Sequence, residues 1–179
     1  MVVSIIMLKM FSTQLSGVFK RLQENEEMAM EDSARLLAQA SIGSGKVYIF
    51  STKEMKAIAF EATEGAEPLN NAYQWTENQA FAETDRFLIV TRYATDIEAM
   101  KFGQLLVENG IPFTAISTDN SNGNESIADL ADAHIDLKLL KGLLPDENGN
   151  RIGYPSSMTA LFVYYGIKFI YDEIIAEYE

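Results

Sequence analysis

Two apolar strands separated by a single helix occupy Asp85–Ser117, and they restrict the fold more than any other stretch of the chain. Asp85–Thr91 (DRFLIVT) is continuously apolar from Phe87 to Val90, the pattern of a strand buried on both faces of a parallel sheet. A helix of about 14 residues, Asp96–Asn109, follows and is closed by Gly110. Pro112–Ser117 is the next strand. A helical connection of that length joins parallel partners, and the resulting βαβ crossover is right-handed.

The same reading extends outward from this unit. Phe11, Leu15, Val18, Phe19 and Leu22 recur at helical spacing and predict an amphipathic helix ending near Glu24-Asn25. Met30, Ala34, Leu37 and Ala40 or Ser41 predict a second, stopped by Gly43-Ser44-Gly45. Lys46–Phe50 is a buried-type strand, followed by a helix through Met55, Ile58 and Ala59 that Ser51 or Thr52 can cap. Tyr73–Thr76 reads as a short strand or an irregular loop. Ser126–Ala131 reads as a short helix and Ala133–Leu137 as a final short strand. Leu143–Gly153, rich in Gly, Asn, Asp and Pro, reads as an exposed loop. The last helix, Ser156–Tyr178, is apolar on nearly all faces from Met158 to Tyr171, which predicts cover on both sides. This order gives an α/β fold: a three-layer αβα sandwich with a mostly parallel, Rossmann-like five-stranded sheet and N-terminal helices before the first strand.

Composition bounds the chemistry. The 179 residues are read as a single domain, 1–179, large enough for its own core. Without cysteine there are no disulfides, thiol nucleophiles or thiolate metal sites, which fits a reducing, cytoplasmic location. A single histidine, His134, cannot alone form the usual zinc site, and it is read as a partly buried polar residue near the sheet edge. No metal is expected. The formal charge of −12 argues against nucleic acid and anionic membrane surfaces as partners. The apolar start, Met1–Leu8, is too short to span a membrane and has neither a basic leader nor a small-residue cleavage site; Met7 could equally be the natural start. Gly43-Ser44-Gly45 precedes its strand, whereas a dinucleotide fingerprint follows one, and there is no P-loop; no cofactor is expected.

Hydroxyl and charged side chains gather directly after three of the predicted strands: Ser51, Thr52 and Lys53; Thr91, Arg92 and Thr95; Ser117 and Thr118. In a parallel sheet these clusters meet at one edge, where open α/β folds bind ligands. Hydroxyls, helix-start N–H groups and one or two cations suit a phosphorylated small molecule. Ser156 and Ser157 open the last helix and are candidates for the same site, while Thr95 can cap the helix beginning near Asp96. Each residue also has a plain structural use as a cap, a turn or a solvated charge.

The arrangement resembles the SIS (sugar isomerase) domain, and within it a divergent member of the phosphoheptose isomerase-like group. The resemblance is carried by GSGKVYIF (Gly43–Phe50), LIVTRYATDIEAMKFGQLLVENGIPFTAIST (Leu88–Thr118), ADLADAHIDL (Ala128–Leu137) and PSSMTALFVYYG (Pro155–Gly166). It implies a sugar phosphate ligand. It also implies, for isomerases of the phosphoheptose type, a glutamate after the first strand's helix and a histidine in the C-terminal helix. Glu61 or Glu64 stands near the first position, and the last helix has no histidine. The glycine-rich segment of the resemblance is replaced by Phe50–Met55, and its STSG-like loop by Thr91-Arg92-Tyr93-Ala94. The expected function is therefore binding of a phosphorylated sugar or related carbohydrate derivative with catalysis weak or absent. The alternatives are an aldose–ketose sugar phosphate isomerase using Glu61 or Glu64, and a non-catalytic dimeric regulatory or scaffold protein. A homodimer is expected, pairing through Phe11, Leu15, Phe19 and Leu22 with part of the Phe162–Ile170 face.

Overall fold

The computed structural model describes residues 2–77 and 79–178. Two helices, α1 (Val2–Asn25) and α2 (Glu27–Ile42), precede strand β1 (Val47–Ser51). A 3₁₀ turn, Lys53–Met55, leads into α3 (Lys56–Glu64) and the short strand β2 (Ala72–Gln74). Then come β3 (Arg86–Tyr93), α4 (Ile97–Glu108), β4 (Phe113–Thr118), α5 (Ile127–Leu130) and β5 (Ala133–Asp136). A small hairpin, β6 (Leu144–Pro145) and β7 (Arg151–Ile152), precedes α6 (Ser156–Ala176).

The five main strands form one sheet in the order β2-β1-β3-β4-β5, every neighbouring pair parallel. The two-residue period of the strands divides the core. Val47, Ile49, Leu88, Val90, Ile116 and Ile135 join α2, α3 and α6 in one cluster. Tyr48, Phe87, Ile89, Phe113 and Ala115 join α4 and α5 in another. This is the expected three-layer sandwich, and β2 at Ala72–Gln74 shows that the Tyr73 region is a strand.

Close approaches explain two glycines. A Cβ on Gly45 would lie 1.9 Å from the Thr84 carbonyl oxygen, so only glycine lets the chain entering β1 pass the one entering β3. A Cβ on Gly166 would lie 2.6 Å from Met30 Sδ, where α6 crosses α2.

Two sequence expectations change. The Leu143–Gly153 segment is partly ordered as the β6–β7 hairpin, whose turn is organised by Asp146 accepting from the Asn148 and Asn150 backbone N–H groups. Helix α6 is covered by α2, α3 and α1 on one side, but Met158 and Phe169 stay exposed. The surface expected to pair two subunits is largely used inside the chain. Leu15 and Leu22 are buried, and Phe19 stacks on Phe162 with ring centres 4.5 Å apart. Among the described residues no helix is long and apolar enough to cross a membrane.

Candidate functional site

From β1 the chain moves outward to β2 on one side, and from β3 to β4 on the other. The carboxyl ends of β1 and β3 therefore flank the point where the strand order reverses, the usual ligand crevice of such sheets. Three features build this crevice. The Thr52 and Thr91 hydroxyls, both buried, lie 2.9 Å apart across it. The β3–β4 register runs Val90↔Ile116 and then Tyr93↔Thr118, so β3 holds one extra residue at Thr91–Arg92. That bulge re-aims Arg92 at the strand's end. The third feature is Lys53, which opens the 3₁₀ turn at φ 49°, in the left-handed region that favours glycine.

The cations are held by carboxylates. Arg92 Nε donates to Glu54 Oε1 at 2.5 Å, and among the described residues its Nη groups have no hydrogen-bond partner. Partial burial works to raise the Glu54 carboxyl, but the Arg92 hydrogen bond, backbone N–H contact and nearby positive charge together hold it below its ordinary value. The Arg92 guanidinium is raised in turn by the Glu54 hydrogen bond. Lys53 Nζ lies 3.0 Å from Asp96 Oδ2, and the hydrogen bond from this pair raises the lysine.

Asp96 also supplies a correction. It, and not Thr95, caps α4, accepting from the Glu98 and Ala99 N–H groups at 3.1 and 3.2 Å. Thr95 instead donates its hydroxyl and its backbone N–H to Asn120 Oδ1. Likewise neither Ser51 nor Thr52 caps the helix after β1, since Thr52 occupies the cap position without a side-chain bond.

The start of α6 closes the crevice on the side of α2. Helix α6 packs against both the 3₁₀ turn and β3, and Tyr154 acts on the charge of Arg92. Pro155 stands at the cap position, so Ser156 is the first helical residue. Its side-chain oxygen is buried and has no hydrogen-bond partner, in a residue only 3% exposed. Ser157 is half-buried.

The remaining candidates fall elsewhere. Ser117 Oγ bonds His134 Nε2 at 2.7 Å, and Thr118 Oγ1 accepts from the Leu139 N–H, both inside the β4–β5 region. His134 lies on edge strand β5, and burial lowers its pKa. Glu61 accepts from the Tyr165 hydroxyl at 2.6 Å. Tyr165 is nine residues beyond Ser156 on α6, roughly 13 Å along the helix axis. Glu64 accepts from Gln74 Nε2. Among the described residues no three His, Asp or Glu side chains converge as a metal site.

Sequence reasoning missed Glu54, the β3 bulge and Asn120. Glu54 had a signal, as an acid adjoining Lys53 within a turn. The bulge and the Asn120 contact depend on pairing across the sheet and left none.

Comparison with known proteins identifies the class and then the family. The fold is that of SIS domains, shared with phosphosugar isomerases and RpiR-type sugar isomerase domains. E. coli CFT073 c3406, solved in complex with a phosphorylated sugar, superposes with a TM-score of 0.68 at 14% identity, over 98% of this chain and 93% of that one. Vibrio vulnificus NanR complexed with ManNAc-6P gives a TM-score of 0.67 at 12% identity, over 96% of this chain and 64% of that one. At such identities the likeness establishes the fold. The sequence profile of the family "Domain of unknown function (DUF2529)" matches residues 7–175, and the chain belongs to that family. The Bacillus subtilis (strain 168) protein YwjG is 40% identical over 173 residues, 96% of this chain and 99% of that one.

Proposed function

We propose that the chain binds a phosphorylated sugar in the crevice between β1 and β3, without turning it over. The observation that carries this reading is the buried, unpartnered Ser156 oxygen at the start of a 21-residue helix, on the side of the crevice where Arg92 has unused donors. A buried polar atom left without a partner costs stability, and an anion at a helix start supplies an acceptor for its hydroxyl. The Nη groups of Arg92 match two phosphate oxygens while Nε remains with Glu54. Thr52, Thr91, Ser51 and Ser157 stand around the same space as donors to phosphate and sugar oxygens, with Lys53 and Thr95 at the rim. The fold is shared with the E. coli and Vibrio vulnificus proteins solved with phosphorylated sugars, which supports the ligand class. Ser117 and Thr118 are assigned structural roles in this reading. Calorimetry against five- to seven-carbon sugar phosphates tests it: saturable binding that Arg92→Ala weakens is expected, and no binding by any of them would refute it.

An isomerase of the phosphoheptose type is the second reading, and the Glu61–Tyr165 contact favours it, because it joins α3 to α6 where the resemblance calls for acid–base partners. Enolisation needs a base within about 3 Å of the proton it takes. Turnover of sedoheptulose 7-phosphate that Glu61→Gln abolishes would establish this reading over the first. A homodimer remains part of both. With Leu15 and Leu22 buried, the pairing surface passes to the exposed Ile5, Ile6, Leu8 and Met10 of α1, and light scattering across a concentration series measures it.

A further inference from the structure

We infer that the carboxyl edge of the sheet carries a second ligand site, a cleft between α3 and α4 that takes a planar aromatic ring bearing a negative charge. This does not rest on the sugar phosphate reading. The cleft arises because β2 is three residues long. Its last link to β1 is the Trp75 N–H donating to the Ile49 carbonyl at 2.9 Å, after which β1 runs on as Phe50 and Ser51 with no strand beside it. The space left open measures about 670 Å³, within the roughly 300–1,000 Å³ of small-molecule sites.

Its walls are aromatic and fixed by one another. Phe50 stacks on Phe102 with ring centres 4.5 Å apart, and Trp75 meets Phe102 at 5.3 Å. Behind them Trp75 packs edge-on against Phe87, also at 5.3 Å, so the rings are set before any ligand arrives. Phe60 is 52% exposed, an apolar ring turned toward a concavity and water. A flat ring entering there would meet aromatic surface in the offset or edge-on geometries that such rings prefer.

The charge follows from two lysines. Lys56 on α3 and Lys101 on α4 line the cleft from opposite walls, and among the described residues neither takes part in an ion pair. In a chain with 26 acidic and 14 basic residues, two unpaired ammonium groups at one concavity mark it for an anion. Glu77 and Glu98 also reach the rim. Glu98 lies toward the crevice, where it acts on the charge of Lys53, and Glu77 sits on the loop after β2. A nucleoside monophosphate and an aryl carboxylate share the required chemistry.

Trp75 is the sole tryptophan of the sequence, so its fluorescence reports on this cleft alone. The protein is titrated with adenosine 5′-monophosphate, benzoate, and their uncharged counterparts adenosine and benzamide. The expected result is a saturable change with at least one anion, at least tenfold weaker with its neutral counterpart and in a Lys56→Ala/Lys101→Ala double variant. Both lysines are exposed, so the variant should keep the parent's melting temperature, which is measured alongside. A response to the nucleotide alone assigns the ring to a nucleotide, and one to benzoate alone assigns it to an aryl acid. The response should survive Arg92→Ala, which separates this site from the crevice. No saturable change with either anion, equal response to the neutral ligands, or an undiminished response in the double variant would overturn the inference.

Discussion

Replacing Ser156 by alanine should make the free protein more stable and the liganded protein weaker. The Ser156 oxygen is buried and unpartnered, so folding strips it of water and returns no hydrogen bond. That desolvation costs about 1–3 kcal/mol. Alanine removes the cost, and a void the size of one oxygen returns only a few tenths of a kcal/mol at about 24 cal/mol per Å³. Because Pro155 is the cap residue and Ser156 makes no capping bond, no helix cap is lost. The net expectation is a gain of about 1 kcal/mol, or roughly 2–4 °C in melting temperature for a chain of this length. Sugar phosphate binding should change in the opposite sense. A hydrogen bond to a charged group is worth about 1.5–3 kcal/mol, a loss of about ten- to hundredfold in affinity. Urea denaturation gives the first quantity and calorimetry the second, with the half-buried Ser157→Ala as the control expected to leave stability within about 0.5 kcal/mol. A Ser156→Ala protein that is less stable by about 1 kcal/mol or more would refute the reasoning, since the hydroxyl would then be satisfied in the free fold.

Arg92→Lys should restore little of the binding lost in Arg92→Ala, because an ammonium cannot hold Glu54 and present a two-pronged donor to phosphate at once; calorimetry on both variants decides this. Gly45→Ala should cost about 3 kcal/mol or more by urea denaturation, because its Cβ would meet the Thr84 carbonyl oxygen at 1.9 Å, backbone against backbone. His134 has its pKa lowered by burial, so the unfolded chain takes up its proton first as pH falls. Its contribution is complete above about pH 6.5 and is lost below that toward its folded value, so His134→Gln should flatten the fall in urea stability over that range. Glu61→Gln should leave sugar phosphate affinity unchanged if the crevice alone binds, and a large loss would draw Glu61 into the site.

The fold was legible because its signals are local and repeated. Continuous apolar runs at Val47–Phe50 and Phe87–Val90 announce buried parallel strands, and a helix of one length between β3 and β4 sets their direction. The site was legible only by position. Strand ends locate Thr52, Thr91 and Arg92 at one edge, but which neighbour satisfies each side chain depends on register, and register is a property of pairs of strands. The extra residue in β3 turns Arg92 toward Glu54, and no pattern within Thr91–Thr95 encodes that shift. The same limit explains Thr95. Thr and Asp are both good helix caps, and the choice of Asp96 follows from Asn120 engaging Thr95 from a loop 25 residues away. The aromatic cleft was invisible for a related reason: it depends on β2 ending early, and the sequence around Tyr73–Thr76 fits strand and loop alike.

The carboxylates in the crevice do not cancel its cations so much as position them. Glu54 takes one donor of a five-donor group, fixing the guanidinium plane while leaving both Nη groups for a ligand. Asp96 fixes Lys53 with one oxygen and caps α4 with the other, so a residue with backbone geometry suited to glycine holds its ammonium at the helix start. Both arrangements reduce the side-chain freedom that a ligand would otherwise have to remove on binding. They also limit the net charge. Lys53, Arg92, Lys56 and Lys101 face Glu54, Asp96, Glu77 and Glu98 along one edge, four against four, in a chain whose total is −12. The carboxyl edge is therefore locally balanced while the rest of the surface repels anions. An anionic ligand is directed to this edge by the absence of repulsion as much as by attraction, and its selection then rests on the fixed donors of Arg92, Ser156 and the threonines.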